Sequence, residues 1–169
     1  NSDSELFETI AKKNSVNFYK RPIEMGKSES LMDEYVYDYI ANKNPDYLLI
    51  LNPTSPFFKK EGLIRAWNQF CSSDSDTQLS CEKIQTHCFF NKAPINFSIN
   101  SKHPRSQDLE PIRALNFAVT ILNTKKFVEN YKNNNYGLYS GKIDFFETES
   151  WESIDIDYED DFKLAEQID

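Results

Sequence analysis

Residues 46–56 read Asp-Tyr-Leu-Leu-Ile-Leu-Asn-Pro-Thr-Ser-Pro, an apolar run that ends abruptly in a polar loop with two prolines. The run 47–51 has no polar face, which predicts a strand that is covered on both sides in a parallel sheet. Pro53 and Pro56 cannot continue a β-ladder, so the chain must leave the sheet at this point.

The polar residues of this loop are candidate ligand-binding residues. In open α/β sheets, ligands lie just beyond the carboxyl ends of the strands. We therefore expect Asn52, Thr54 and Ser55 to lie where a substrate is held. An ordinary strand-to-helix loop is the alternative, because position in a fold does not determine function.

The chain on either side of this strand alternates between helical and extended patterns. Ser2 and Glu5 have capping-box spacing ahead of a helix that reaches about Asn14, and residues 16–19 form a short strand candidate. Ser28 or Ser30 can cap a second helix before the strand at Tyr47. A third helix is predicted from about Lys60 to Cys71. This alternation predicts a parallel sheet with right-handed crossovers.

Residues 77–104 follow a different pattern. Apolar and polar residues alternate around residues 79–83 and 95–99, which predicts half-buried antiparallel strands in an excursion from the main sheet. Later elements are an apolar strand at 115–121, a helix from Thr124, a turn at 133–135, strand candidates at 138–139 and 153–156, and a helix over 158–168. The predicted fold class is a Rossmann-like, three-layer α/β/α fold.

Length and charge narrow the possible classes of protein. The 169 residues favour one domain, and the formal net charge of −8 argues against non-specific binding to nucleic acid or to an anionic membrane surface. No apolar run approaches the roughly 20 residues of a membrane span. The three cysteines are an odd number without framework spacing, which favours a reducing cytoplasm.

Residues 153–157 (Ser-Ile-Asp-Ile-Asp) alternate with period two, so both carboxylates project to one face. Mg²⁺ prefers one or two carboxylates together with substrate phosphates, and Asp155 and Asp157 fit that use. The alternative is a solvated strand edge whose Asp157 caps the last helix, where Glu159, Asp160 and Asp161 suit the helix dipole. Asp155 has no such alternative role and is the first choice as a metal ligand.

Residues 105–109 (Arg-Ser-Gln-Asp-Leu) form a second polar constellation. Arg105 offers a planar fork for a carboxylate or phosphate, and Gln107 can donate to and accept from hydroxyls or amides. A polar surface loop is the alternative. The cysteines and the two histidines match no zinc spacing, and no glycine-rich phosphate loop is present.

Taken together, these stretches resemble the acylneuraminate cytidylyltransferases, the CMP-sugar synthetases of bacteria and animals. Residues 51–56 are similar to the family's Leu-Gln-Pro-Thr-Ser-Pro, and residues 154–157 with the helix after them are the closest match. Further similar segments are 2–5 (Ser-Asp-Ser-Glu), 21–25 (Arg-Pro-Ile-Glu-Met), 105–109, and 116–118 (Asn-Phe-Ala, where Asn-Gly-Ala is usual).

The resemblance implies a nucleotidyltransferase that couples CTP to a nine-carbon 2-keto sugar acid and releases pyrophosphate. It implies Mg²⁺ held by Asp155 and Asp157. Arg21 would lie near the cytosine, with Ser30 as a weaker candidate. The sugar would be contacted by Asn52, Arg105, Gln107 and Asn116. It also implies a homodimer built by the excursion 77–104.

The chain also departs from the family. The family's first strand and its Arg-Gly-Gly-Ser-Lys loop have no counterpart, so we expect a domain that is incomplete at its N-terminus. A non-catalytic relative that binds a nucleotide or sugar, or an acidic interaction domain that kept only the fold, are therefore alternatives. Asn52 replaces Gln and Phe58 stands where Arg is common, so we expect a sugar acid that is bulkier or less polar than N-acetylneuraminate.

Overall fold

The computed structural model describes residues 1–27 and 29–168. In chain order its helices and strands are α1 (Glu5–Lys13), α2 (Met32–Lys43), β1 (Tyr47–Leu51), α3 (Lys60–Ser72), β2 (Thr77–Ile84), β3 (Phe89–Phe90), β4 (Ala93–Pro94), β5 (Ile112–Asn123), α4 (Thr124–Asn134), β6 (Ile143–Glu147) and α5 (Glu159–Ala165). The main sheet has the strand order β1-β5-β2-β6, and β2 pairs with β6 in parallel. A separate antiparallel pair joins β3 and β4. The predicted α/β class with a small antiparallel excursion is confirmed.

The chain divides into two compact units. The first comprises Asn1–Leu48 and Leu122–Lys142, and the second comprises Leu49–Ile121 and the described residues from Ile143 onward. The length predicts one domain over 1–169, and this stays a prediction.

The first unit is held together by α2 and α4, which pack against each other. Val36 and Ile40 are buried on α2, and the Phe127 ring on α4 is fully buried. Asp33, in the first turn of α2, accepts hydrogen bonds at Oδ1 from the backbone N–H groups of Gly137 and Leu138 at 2.5 and 2.8 Å. This carboxylate therefore fixes the turn that follows α4.

Gly137 lies directly against the buried Phe127 ring, so Gly137→Ala is expected to lower the free energy of unfolding by about 1–3 kcal/mol. A Cβ atom at this position would lie 2.7 Å from Cδ2 of Phe127. Urea denaturation followed by circular dichroism measures the loss, with Lys132→Ala on the exposed end of α4 as the control. In the double variant Gly137→Ala, Phe127→Leu, the loss is expected to be smaller than the sum of the two single losses, because leucine removes the ring edge. A strictly additive result would contradict this explanation.

The second unit has its core on the sheet. Ala66, Phe70, Val119, Ile121 and Phe146 form one buried cluster. The side chains packed against this cluster are Phe58, Leu63 and Trp67. The apolar spacing of α3 predicts inward positions at Leu63, Ile64, Trp67, Phe70 and Cys71. Leu63, Trp67 and Phe70 are confirmed, whereas Ile64 is 48% exposed and Cys71 is exposed.

Strand β2 corrects the boundary predicted for the excursion. Residues Thr77–Cys81 are all buried in the main sheet, although their sequence alternates as a half-exposed strand would. Two polar members have partners for their donor groups, since Gln78 Nε2 donates to the Ala66 carbonyl at 2.8 Å and the Ser80 hydroxyl donates to Asn116. Gln78 Oε1 is buried without a partner among the described residues. Of the range 77–104, only the part after Ile84 therefore leaves the main sheet.

Several short strand predictions were wrong. Residues 16–19 form no strand, and only an isolated bridge between Ser2 and Lys20 lies beside them. Residues 95–99, 138–139 and 153–156 are irregular or turn-like. In 95–99 the Asn96 amide donates to the carbonyls of Thr86 and Glu110, and such local bonds compete with a ladder. Strand β6 was missed.

The helix caps also differ from those predicted. Helix α1 has Ser4 at its N-cap position, not Ser2, and α2 has Leu31, whose N–H donates to the Glu34 carboxylate at 3.3 Å. Ser28 lies outside the described residues. The Ser30 hydroxyl donates to the Glu24 carbonyl at 3.0 Å.

Candidate functional site

The second unit brings together two motifs that lie 101 positions apart. The Thr54 hydroxyl, in the loop after β1, donates a hydrogen bond to Oδ1 of Asp155. The backbone repeats the contact, because the Ile156 N–H donates to the Thr54 carbonyl at 2.9 Å. Thr54 and Asp155 are both half-buried. The loop beyond the apolar strand and the acidic segment near the end of the chain therefore form one structural feature.

The loop itself is folded by its own polar groups. The Asn52 N–H donates to the Ala118 carbonyl at 3.2 Å, which places the loop on β5. Asn52 Oδ1 accepts from the Thr54 N–H at 3.4 Å, an Asx turn. Ser55 is buried, and its hydroxyl has no hydrogen-bond partner among the described residues. A buried hydroxyl without a partner is costly, so Ser55 is an unsatisfied polar group next to the Thr54–Asp155 contact.

Asp155 and Asp157 reach their positions without a strand. Residues 154–157 are irregular and follow a 3-10 turn at Ser150–Ser153. Asp157 is exposed, and its N–H donates to the Asp161 carboxylate at 3.2 Å, as does the Tyr158 N–H at 2.9 Å. Asp161, not Asp157, therefore caps α5 with its side chain.

The Arg105 fork is occupied by its own loop. Arg105 Nε and Nη2 donate to the two carboxylate oxygens of Asp108 at 2.7 and 3.0 Å. This hydrogen bond raises the pKa of Arg105. The arrangement is the two-to-two match of guanidinium and carboxylate that was predicted for a ligand, with Asp108 in the ligand's place. Gln107 is exposed, and its carbonyl accepts from Gln85 Nε2 at 3.1 Å.

Asn116 is the centre of a polar network between strands. Its Oδ1 accepts from the Ser80 hydroxyl at 2.7 Å, and its Nδ2 donates to the Thr148 hydroxyl at 2.8 Å. The next residue, Phe117, has a positive φ of 52°. This is the conformation that favours glycine, which is the residue of the resembled family at this place. Asn116 therefore holds a strained kink in β5, because its Oδ1 also accepts from the Ala118 N–H at 3.3 Å.

Arg21 and Ser30 lie in the first unit. Arg21 Nη2 donates to Asp3 Oδ1 at 3.1 Å, and the Arg21 Cζ atom lies 4.8 Å from the centroid of the Tyr35 ring. A backbone hydrogen bond and the Arg21 guanidinium lower the pKa of Asp3, while burial raises the pKa of Tyr35. Arg21 Nε is buried without a hydrogen-bond partner in the described part of the chain. Tyr35 is not among the site residues predicted from the sequence, because no local pattern indicates its contact with Arg21.

Three solved structures have similar folds. The 4-diphosphocytidyl-2C-methyl-D-erythritol synthase of Anaerococcus prevotii is 12% identical with a TM-score of 0.67, over 98% of this chain and 76% of that chain. The 2-C-methyl-D-erythritol 4-phosphate cytidylyltransferase of Francisella tularensis is 15% identical with a TM-score of 0.55, over 84% of this chain and 69% of that chain. The enzyme of the same name from Thermus thermophilus is 14% identical with a TM-score of 0.51, over 96% of this chain and 87% of that chain.

The chain has a nucleotidyltransferase-like fold. No protein-family model and no curated protein sequence matches it. None of the described helices is both long enough and apolar enough to cross a membrane.

The residues of the acidic segment fit a divalent cation. Within residues 1–27 and 29–168, no three His, Cys, Asp or Glu side chains group as a complete metal site. Mg²⁺ does not need such a cage, since it is usually held by one or two carboxylates plus substrate phosphates and water. In the described part, only Thr54 bonds to the Asp155 carboxylate and nothing bonds to that of Asp157, so both retain oxygens for a metal.

Proposed function

We propose that this chain is part of a Mg²⁺-dependent cytidylyltransferase that transfers CMP from CTP to a 2-keto sugar acid of the sialic acid type. The observation that carries the proposal is the hydrogen bond from Thr54 to Asp155. It joins the Pro-Thr-Ser-Pro loop to the Ile-Asp-Ile-Asp segment, the two motifs whose combination resembles the acylneuraminate cytidylyltransferases. The fold shared with the three solved structures supports the nucleotidyltransferase class.

The reaction needs no covalent bond to the protein. The oxygen of the sugar's anomeric hydroxyl attacks the α-phosphorus of CTP and forms a new P–O bond. The bond from that phosphorus to the β-phosphate oxygen breaks, pyrophosphate leaves, and the hydroxyl proton is released. Catalysis of such a transfer consists of positioning and of charge stabilisation.

Asp155 and Asp157 would hold the cation, which would neutralise negative charge on the phosphates of CTP. Thr54 is the positioning residue of this pair, because its hydroxyl engages one Asp155 oxygen and leaves the other for the metal. Arg21 and Ser30 would contact the nucleotide. The Arg21 side chain is suited to this role because its Nε lacks a partner and its planar face already lies against an aromatic ring.

The remaining predicted residues would contact the sugar. Arg105 would exchange the Asp108 carboxylate for that of the sugar, a swap between two equivalent partners in an exposed setting. Ser55 would donate or accept through its free hydroxyl, and Asn52 and Gln107 would supply amide groups. Asn116 would offer the sugar the one Nδ2–H that its network leaves over, and its bond from the Ala118 N–H holds the kink at Phe117.

The test is pyrophosphate release by the full-length protein with CTP, Mg²⁺ and a series of nonulosonic acids. We expect turnover, with kcat/KM higher for dideoxy diamino sugars (legionaminate- or pseudaminate-like) than for N-acetylneuraminate. Because only the fit of the pocket changes, the preference should be about 10–200-fold. CTP binding without release for any acceptor would favour the non-catalytic binding relative, and a clear preference for N-acetylneuraminate would contradict the acceptor expected from Asn52. Phe58, which was expected on the sugar side, packs against the buried core cluster.

The excursion is proposed as the contact of a homodimer. Its described part after β2 exposes large apolar side chains, and 72% of Phe90 is accessible. The others are Phe89, Ile95 and Ile99. A two-stranded ribbon such as β3–β4 cannot bury its own face, so a symmetry-related copy is the natural cover.

We therefore expect a dimer in sedimentation velocity at micromolar concentration and a monomer for Phe90→Glu. The matched control is Tyr158→Glu, at an equally exposed aromatic residue in a different segment. A monomeric wild-type protein would contradict the proposed assembly.

A further inference from the structure

The turn that precedes Asp155 is fastened to helix α3 by one arginine. Arg65, on α3, donates from Nη2 to Oε2 of Glu152 at 2.6 Å, and its Nε lies 3.4 Å from Oε1 of Glu149. Both glutamates belong to the 3-10 turn Ser150–Ser153, with Glu149 at its N-cap position. Arg65 belongs to none of the sequence motifs and has no role in the function proposed above.

The contact between Arg65 and Glu152 is shielded from water on several sides. Only 12% of the Glu152 side chain is accessible. Its carboxylate lies against Gly62 of α3, where an added Cβ atom would be 3.1 Å from Glu152 Cδ. The Arg65 guanidinium lies over the ring of the buried Phe146, with 5.8 Å from Cζ to the ring centroid. A charge-assisted hydrogen bond in such a setting is stronger than an exposed ion pair, so it can hold the turn in place.

Residues 154–157 depend on such an anchor because they are irregular and form no strand. On the far side of Asp155, the Ile156 N–H donates to the Thr54 carbonyl at 2.9 Å. On the near side, the turn is tied to α3 through Arg65. A carboxylate between two fixed points samples few conformations, so less conformational entropy is lost when it binds a cation.

We propose that Arg65 is a positioning residue for the divalent cation. It acts through Glu152, by keeping the chain in the conformation in which Asp155 binds the metal. The proposal rests on the function proposed above and adds a residue to its metal site. When only a fraction of the molecules holds the competent conformation, the apparent dissociation constant of the metal rises by the inverse of that fraction. Loss of the Arg65 contact therefore weakens metal binding, and excess metal restores the competent conformation.

The first measurement is metal binding without catalysis. Mn²⁺ uses the same oxygen ligands as Mg²⁺, and the free ion is counted from its electron paramagnetic resonance signal. The full-length protein is titrated with Mn²⁺ alone, and the binding that is lost in Asp155→Asn defines the site. In Arg65→Met we expect the dissociation constant of this site to rise by about tenfold or more.

The sign of this change separates positioning from simple electrostatics. Arg65→Met removes a positive charge near a cation site, which by charge alone would strengthen Mn²⁺ binding. Methionine keeps an unbranched side chain and a similar helix propensity, so the fold should persist.

The matched control is Arg113→Met. The Arg113 side chain is 44% exposed, against 37% for Arg65, and its Nη2 lies 3.4 Å from Oε1 of Glu147. Its guanidinium also lies over an aromatic ring, that of Phe145. Since Glu147 is in β6 and not in the turn before Asp155, the Mn²⁺ affinity of Arg113→Met should stay within about twofold of the wild type.

A double-mutant cycle tests whether Arg65 acts through Glu152. Glu152→Gln removes the partner's charge but keeps an oxygen for the Glu149 N–H, since a capping box accepts Glu or Gln. The double variant Arg65→Met, Glu152→Gln should bind Mn²⁺ within about twofold of Arg65→Met alone. Effects of the two changes that multiply would show that Arg65 does not act through Glu152.

Turnover gives a second readout, which a mere loss of stability would not produce. In Arg65→Met the Mg²⁺ concentration for half-maximal pyrophosphate release should rise about tenfold, while kcat at saturating Mg²⁺ stays within about threefold of the wild type. Unchanged or tighter Mn²⁺ binding in Arg65→Met, an equal loss in Arg113→Met, or a fall in kcat that saturating Mg²⁺ does not restore would overturn the proposal. Mn²⁺ binding that is unaffected by Asp155→Asn would overturn it as well.

The two proposals fail in different ways. If the function is right and Arg65 has no positioning role, pyrophosphate is released and Arg65→Met needs no additional Mg²⁺. If the function is wrong and the positioning role is right, no pyrophosphate is released, while Mn²⁺ binding that depends on Asp155 still weakens in Arg65→Met.

Discussion

Asp155→Asn is expected to abolish Mg²⁺-dependent pyrophosphate release, with a loss of roughly a thousandfold in kcat, while the fold stays intact. Asparagine keeps an oxygen that can accept from the Thr54 hydroxyl, so the free energy of unfolding should change by no more than about 1 kcal/mol. What is lost is a negative charge at the place proposed for the cation, where electrostatic stabilisation of the transition state is usually the largest single contribution.

The control for this prediction is Asp160→Asn, in the same acidic segment. Asp160 is almost fully exposed and only pairs with Lys163 across the α5 surface. It should retain wild-type turnover, as expected for an exposed ion pair on a helix. Undiminished turnover in Asp155→Asn would remove Asp155 from the metal site.

Asn116→Ala is expected to lower the free energy of unfolding by about 2–3 kcal/mol. The change removes the acceptor of the fully buried Ser80 O–H, and a buried donor left without an acceptor costs about 1–3 kcal/mol. It also removes the amide that donates to Thr148, whose hydroxyl keeps its own bond to the Cys81 carbonyl at 3.1 Å. It also removes the bond from the Ala118 N–H that supports the positive φ of Phe117. The measurement is the midpoint of urea denaturation at constant m-value.

Asn133→Ala, on the exposed end of α4, is the matched amide control and should change stability by less than about 0.5 kcal/mol. A loss of similar size in both variants would contradict the structural role of Asn116. If Asn116→Ala keeps its stability but loses affinity for the sugar acid, Asn116 is a contact residue of the sugar and not a positioning residue.

The strongest sequence predictions were those that depend on local patterns. The strand at 47–51 and the helices α3 and α4 follow from apolar spacing and from proline or asparagine boundaries, which act within a few residues. The proximity of Thr54 and Asp155 was predictable only through the resemblance, because no local rule connects two residues 101 positions apart.

The errors have physical causes in tertiary contacts. Strand β2 was read as half-exposed because Gln78 and Ser80 are polar, but hydrogen bonds from distant elements allow both to be buried. The short extended segment at 16–19 has no adjacent strand to pair with, so its β propensity is not realised. Arg105 was expected to be free, yet Asp108 three residues later captures its fork, a spacing that the sequence displays.

A pocket lined by residues of the loop after β1 and of α5 could not be predicted either, because it depends on tertiary contacts. Trp151 and Phe162 belong to segments with ordinary polar or amphipathic sequence patterns. Only folding places them with Pro56 and Ile156 around one cavity. Sequence motifs identify reactive side chains. A binding surface of this kind depends instead on how helices and loops pack against each other.

The proposal that the acceptor is a sugar acid is tested by comparing two classes of acceptor in parallel reactions. The full-length protein is given CTP, Mg²⁺ and either a nonulosonic acid or 2-C-methyl-D-erythritol 4-phosphate, the acceptor named in two of the structurally similar enzymes. Pyrophosphate release is then followed for each. We expect release with the sugar acid and none above background with the erythritol phosphate. Release with the erythritol phosphate alone, or with neither acceptor, would contradict it.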